Sequence, residues 1–335
     1  MTKYVMNQFF EDNPKIEGNW LKQFIEDAIK NSPDDLKVGL EKMYNEYQDK
    51  IEELDLWYSN DYFIHLLMSQ FIDEADEITR NELKEVFIGK KYSDEVNATA
   101  HDIDSNYNGY LITFNFELEY QLFNLSEVFA SEILFCTNKD KEITPFIAAL
   151  LVANVTALPN QSERGMYLQS MLPSQTWKHY CNISMYAYLG ATAFVLAHEI
   201  GHHFLKHTKQ NNSISSISPF RNYNIRGGNI NHEYEFAADE YALKLMLQNN
   251  KKKSLKIEYL AGPFILILTL ALEDPFPNRS SDTHPSLKDR FLNIKDKIQK
   301  YCSQEEYDTL IALTERIIQH ILRTGNPWDD STWWK

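Results

Sequence analysis

The sequence predicts a mostly helical α+β fold, on two observations and one bound. Apolar residues recur at steps of three and four over most of the chain, while a single stretch, "YLITFNF" at 110–116, alternates with the period of a strand. The bound is size: 335 residues, 43% apolar and 13% aromatic, bury a sizeable core as one large domain or two modest ones.

In the first ninety residues Leu36, Leu40, Met43, Tyr47, Ile51 and Leu54 share one helical stripe, and Tyr62, Phe63, Leu66, Leu67 and Phe71 repeat the habit. Gly89 and the polar run "KKYSDEVNATAHDIDSNYNG" break it, which sets an expected division into an N-terminal helical segment, 1–108, and a second domain, 109–335. In the second domain Tyr110, Ile112, Phe114 and Phe116 alternate with smaller or polar residues, as in a half-buried strand. Helices are expected over about 117–136, 144–157, with Thr144–Pro145 as a start signal, and 184–207. The segment 208–230 is too polar for a helix and, at 23 residues, longer than an ordinary connection, so it reads as a disordered excursion or a functional loop. Further helices fit 232–249, 254–272, 286–300 and 304–323, and the tail "TGNPWDDSTWWK" carries three tryptophans expected to pack on the domain surface.

Acidic residues outnumber basic ones 48 to 33, and a formal charge of -15 repels phosphate backbones and anionic membranes, which excludes nucleic acid as a partner class. Cys136, Cys181 and Cys302 are odd in number, far apart and without CxxC spacing, so neither a disulfide framework nor a thiolate zinc site is indicated. The N-terminus has no apolar signal region, and the longest near-apolar run, "LAGPFILILTLAL", has 13 residues against the roughly 20 of a membrane span. The expectation is a soluble protein of the cytoplasm, without a membrane association. Oligomeric state is not legible.

Chemistry concentrates in "AFVLAHEIGHHFLKH", 193–207, where four histidines and a glutamate interrupt an apolar helix. His198 and His202 are at i and i+4, so both imidazoles leave one face and can share an ion, while Glu199, one step round, reaches a water bound to it. This is the HExxH arrangement of two zinc-binding histidines and a general base. By chance it occurs in on the order of one chain in a hundred of this size, so a third ligand has to carry the reading. His203 and His207 need no metal, being favoured near a helix C-terminus by the macrodipole.

The third ligand is expected in "EYEFAADEYAL": Glu235 and Asp239 are again i and i+4, and Ala237 and Ala238 between them permit close helix approach. Glu235 would bind the ion and Asp239 would accept the free N–H of a ligand histidine. Glu233 and Glu240 are the alternatives to Glu235. In "SSDTHPSLKDRF", Pro285 is expected to start a helix with Thr283 or His284 at its cap, and Arg290 lies about two turns on. Taken alone, this block reads as a capped helix with a surface histidine.

Together "HEIGH", "EFAAD" and "THPSLKDR" resemble the gluzincin metallopeptidases, in particular the HtpX and CAAX-prenyl-protease group, and more closely the soluble Lit-type phage-exclusion proteases, whose known target is elongation factor Tu. The resemblance covers roughly residues 109–300. It implies a zincin-like catalytic domain with a small sheet and one zinc ion per chain. By it His198, His202 and Glu235 are zinc ligands, Glu199 the catalytic base, Asp239 an orienting residue, and His284 and Arg290 contacts to the reacting carbonyl. It also implies a phage-defence or stress protease acting on a cytoplasmic protein or peptide, with the strand at 110–116 as an edge that accepts an extended substrate. The N-terminal hundred residues have no counterpart in it. Two rivals remain: a repressor-cleaving regulatory metallopeptidase, against which the "THPSLKDR" block speaks, and a zinc-stabilised interaction module without protease activity, against which Glu199 speaks.

Overall fold

The computed structural model describes residues 2–12, 41, 45, 58–59, 61–93, 95–101, 110–137, 172, 174–210, 215–216, 230–247, 255–325 and 327–335. In chain order the elements are α1 (Thr2–Asp12), α2 (Tyr62–Glu74), α3 (Glu77–Leu83), β1 (Val86–Lys91), β2 (Ala98–His101), β3 (Tyr110–Asn115), α4 (Phe116–Thr137), α5 (Ser174–Phe204), α6 (His207–Gln210), β4 (Ser215–Ser216), α7 (Ile230–Leu247), α8 (Ile257–Leu260), α9 (Gly262–Glu273), α10 (Leu287–Ile298) and α11 (Gln304–Thr324). The fold is mostly helical with a small mixed sheet, the class the periodicities predict. Two compact units emerge, one of Met1–Phe116 with Lys206–Ser216, the other of Glu117–Leu205 with Ile217–Lys335. The helical stripe expected at 36–54, the helix expected at 144–157 and most of the 208–230 loop lie outside the described residues.

The first unit holds the sheet, in the order β1-β3-β2-β4. β1 runs parallel to β3, while β2 is antiparallel to both β3 and β4. β3 falls where the alternation placed a strand, but it lies inside the sheet, so it is not the free edge the resemblance implied. Both of its faces are buried from Ile112 to Asn115. Polar groups on it find partners: Thr113 Oγ1 lies 2.8 Å from His101 Nε2, and Asn115 Nδ2 donates to the Glu95 carbonyl at 3.1 Å. β1 and β2 fall where the sequence predicts a break. Gly89 does not terminate structure; it sits in β1 because Phe9 of α1 crosses it, and a Cβ there would come within 2.3 Å of the ring. Lys90, polar in sequence, is buried against Asp61 at 3.2 Å, and Asp61 also caps α2 through the amides of Phe63 and Ile64.

The second unit is organised around α5, against which α7, α8 and α9 pack. α5 begins ten residues before the expected start, in a half-exposed polar stretch whose buried positions, Tyr180 and Ile183, are too few to reveal the period. The apolar run expected as one helix at 254–272 is two, α8 and α9, with Pro263 in the first turn of α9. α9 is buried from Gly262 to Ala271 against α5, which accounts for its hydrophobicity; no helix among the described residues is long and apolar enough to cross a membrane. The two backbones touch at Gly190 and Gly262, where a Cβ on Gly262 would lie 2.0 Å from the Gly190 carbonyl carbon. The tail goes deeper than a surface covering. Trp333 is fully buried with its ring 5.6 Å from Phe291 of α10, and Trp328 donates its indole N–H to the Ala271 carbonyl.

Candidate metal centre

The apolar face that buries α5 continues through Ala191–Ala197 into the HEIGH segment, so His198, Glu199 and His202 enter the interior with it, at 0%, 0% and 2% exposure. Polar groups so placed need partners. α7 supplies them. It crosses α5 at Gly201, where an added Cβ would stand 3.3 Å from Ala238 Cα and 3.2 Å from the Tyr241 ring, so small residues on both helices permit the close approach. Ala238 is the alanine at the contact; Ala237 is half-buried beside it.

That approach carries Glu235 to the histidines. The Nε2 atoms of His198 and His202 are 3.0 Å apart, Glu235 Oε2 is 3.5 Å from the first and Glu235 Oε1 is 3.3 Å from the second. One turn further along α7, Asp239 Oδ1 lies 2.9 Å from His198 Nδ1, so the two ring nitrogens of His198 face two different carboxylates. Glu233 and Glu240 are exposed on the far side of the helix, and Glu240 pairs with Lys297 at 3.0 Å; neither joins the group.

From α10, Arg290 reaches in, 1% exposed, and grips Asp239 with Nε at 3.0 Å and Nη2 at 2.7 Å, while Nη1 lies 3.5 Å from Glu235 Oε2. The resemblance implies that Arg290 contacts the reacting carbonyl; here its guanidinium nitrogens face these two carboxylates. His284 is 8% exposed, in the turn before α10, with Nε2 3.8 Å from Glu235 Oε1. The N-cap of α10 is Ser286, whose hydroxyl accepts from the Asp289 amide, and not Thr283 or His284. Thr283 instead places its hydroxyl 2.8 Å from His284 Nδ1, a contact that sequence spacing did not reveal.

Burial alone would raise the pKa of Glu235, but the facing imidazoles of His284, His202 and His198 hold it well below the usual carboxylate range. Asp239 is likewise depressed, burial being outweighed first by the Arg290 charge and then by His198. Burial pushes His198 down, yet its contacts with Asp239 and Glu235 win and bring it up to about 9. At His202 burial prevails and the pKa falls.

One ligand atom each from His198, His202 and Glu235 falls within 4.8 Å of the others, a group that could hold a metal ion. Ligand bonds of about 2.0–2.1 Å at tetrahedral angles put donor atoms roughly 3.3–3.4 Å apart. The two imidazole nitrogens, 3.0 Å apart, and the nearest Glu235 oxygen to each, Oε2 at 3.5 Å and Oε1 at 3.3 Å, lie near that value, so two imidazoles and a carboxylate fit a single small divalent cation. The donor set suits zinc among common metals.

Residues 160–311 match the family model described as Peptidase U49, a stretch that takes in HEIGH, EFAAD and THPSLKDR and supports a peptidase. No curated protein and no solved structure matches the chain.

Proposed function

We propose that the protein is a zinc metallo-endopeptidase that hydrolyses a peptide bond of a cytoplasmic protein. The observation that carries this is the convergence of two imidazoles and a carboxylate from α5 and α7 beside the buried Glu199, within the stretch that matches a peptidase family.

The ion, when held by His198, His202 and Glu235, supplies Lewis acidity toward the scissile carbonyl and the attacking water. Glu199 takes the proton of that water and returns it to the leaving amine, general acid–base work that usually contributes about 10²–10⁴-fold. Asp239 accepts from His198 Nδ1, which turns the Nε2 lone pair inward, and Arg290 holds Asp239 in place. His284 presents Nε2 as a donor to the oxygen on which negative charge develops. No serine or cysteine nucleophile is required.

The experiment compares cells producing the wild type with cells producing Glu199→Gln for new protein termini, and repeats the hydrolysis in vitro with chelator and with zinc restored. The elongation factor named by the resemblance is the first protein to test. Termini that appear only with wild type, vanish with chelator and return with zinc support the reading; termini unaffected by Glu199→Gln overturn it.

A further inference from the structure

We infer that His232 is a positioning residue for His284: from the first turn of α7 it holds the main chain of the Ser281–His284 turn and so sets where the His284 imidazole stands over Glu235. The inference rests on the proposed role of His284 as donor.

His232 and Glu235 are three residues apart on α7 and project from one face. His232 Nε2 lies 2.7 Å from the Ser281 carbonyl oxygen. A carbonyl only accepts, so this nitrogen carries the proton and donates. One turn on, Glu235 Oε1 lies 3.8 Å from His284 Nε2, so the same helix face meets both ends of the turn. Asn231 adds a donor to the Asp282 carbonyl at 3.3 Å.

Within the turn, slack is small. Ser281 N–H donates to the His284 carbonyl at 2.9 Å, and His284 N–H donates to Ser281 Oγ at 2.9 Å. Where Ser281 goes, the His284 backbone follows. The Thr283 hydroxyl, 2.8 Å from His284 Nδ1, then fixes the ring; with the hydroxyl as donor to Nδ1, the proton stays on Nε2, the nitrogen that faces Glu235 and would serve as donor. A donor displaced by about 1 Å can forfeit on the order of a hundredfold in rate, which makes an anchor on Ser281 matter.

The test is a cycle of His232→Ala, His284→Ala and the double variant, with His232→Gln as rescue and metal content measured on each. His232→Ala should keep stoichiometric zinc and a near-normal KM while kcat falls about 10–100-fold. Glutamine, whose side-chain amide reaches the same carbonyl, should restore most of it. His232→Asn, too short to reach, should behave as alanine does and serves as a second loss variant that keeps a polar side chain. The double variant should be no slower than His284→Ala alone, because the two act as one unit. Wild-type kcat in His232→Ala and His232→Asn, loss of zinc in either, or a double variant slowed by the product of the two single effects would overturn the inference. Full turnover in His284→Ala is a different result: it removes the donor role itself.

Discussion

Replacing Arg290 with alanine should cost the metal-free protein about 3–5 kcal/mol of unfolding free energy at neutral pH, the usual penalty for removing one partner of a buried ion pair. The structure gives the reason. The guanidinium is 1% exposed and spans Asp239, at 3.0 and 2.7 Å, and Glu235, at 3.5 Å, both of them buried carboxylates. Burial would raise the pKa of Asp239, and Arg290 is the largest influence opposing it. Because the folded value is depressed below the unfolded one of about 3.9, this contribution is fully present above that pH and is lost as pH falls through the folded value. The alanine deficit should therefore be greatest at neutral pH and shrink below about pH 4. A bound divalent cation offsets the same carboxylates, so the deficit should also be smaller in the zinc-loaded protein. Arg290→Lys keeps the charge but not the two-point grip and should fall between. Equilibrium urea unfolding of chelated and zinc-loaded forms, followed by tryptophan fluorescence across pH, measures all of this. A deficit under about 1 kcal/mol in the chelated protein at pH 7, or one indifferent to both pH and metal, would refute the reasoning.

Three further outcomes follow from the same geometry. With His198 raised to about 9, zinc must displace its proton, so apparent affinity should drop about tenfold for each pH unit below that value; calorimetry in buffers of differing ionisation enthalpy should count about one proton released, and none would contradict the assignment. Asp239→Asn should weaken zinc binding by about 10–100-fold in a competition titration with a chromophoric chelator, and unchanged affinity would remove it as the orienting partner of His198. Gly201→Val places a branched side chain where a Cβ alone stands 3.2 Å from Tyr241 and 3.3 Å from Ala238, so α5 and α7 must part; circular dichroism should show retained helicity while zinc affinity falls, and full affinity would mean the helix spacing does not set the site.

The centre was legible wherever its logic is local. HEIGH and EFAAD each place two groups one helical turn apart on one face, which is a property of the helix and needs no knowledge of its neighbour. Ala238 marked the close approach for the same reason, although its counterpart Gly201 was passed over. What stayed hidden depends on partners distant in sequence. Lys90 reads as a surface residue until Asp61, far upstream, is seen to neutralise it, so β1 went unrecognised. β3 reads as a half-buried strand from its alternation, and Thr113 and Asn115 on its polar face are buried as well, with partners in His101 and Glu95 that the alternation does not show. Arg290 reads as a substrate contact by resemblance, and only the packing of α10 on α7 turns it onto Asp239. His232 carries no motif at all; its place is set by the carbonyl of Ser281.

The most direct measurement is the zinc content of purified wild type, Glu235→Ala and Glu199→Gln after equilibration with a slight excess of zinc and gel filtration. The account predicts one ion per chain in the wild type and in Glu199→Gln, which loses the base and no ligand, and almost none in Glu235→Ala. A wild type that retains no zinc, or a Glu235→Ala variant that retains a full equivalent, would contradict it.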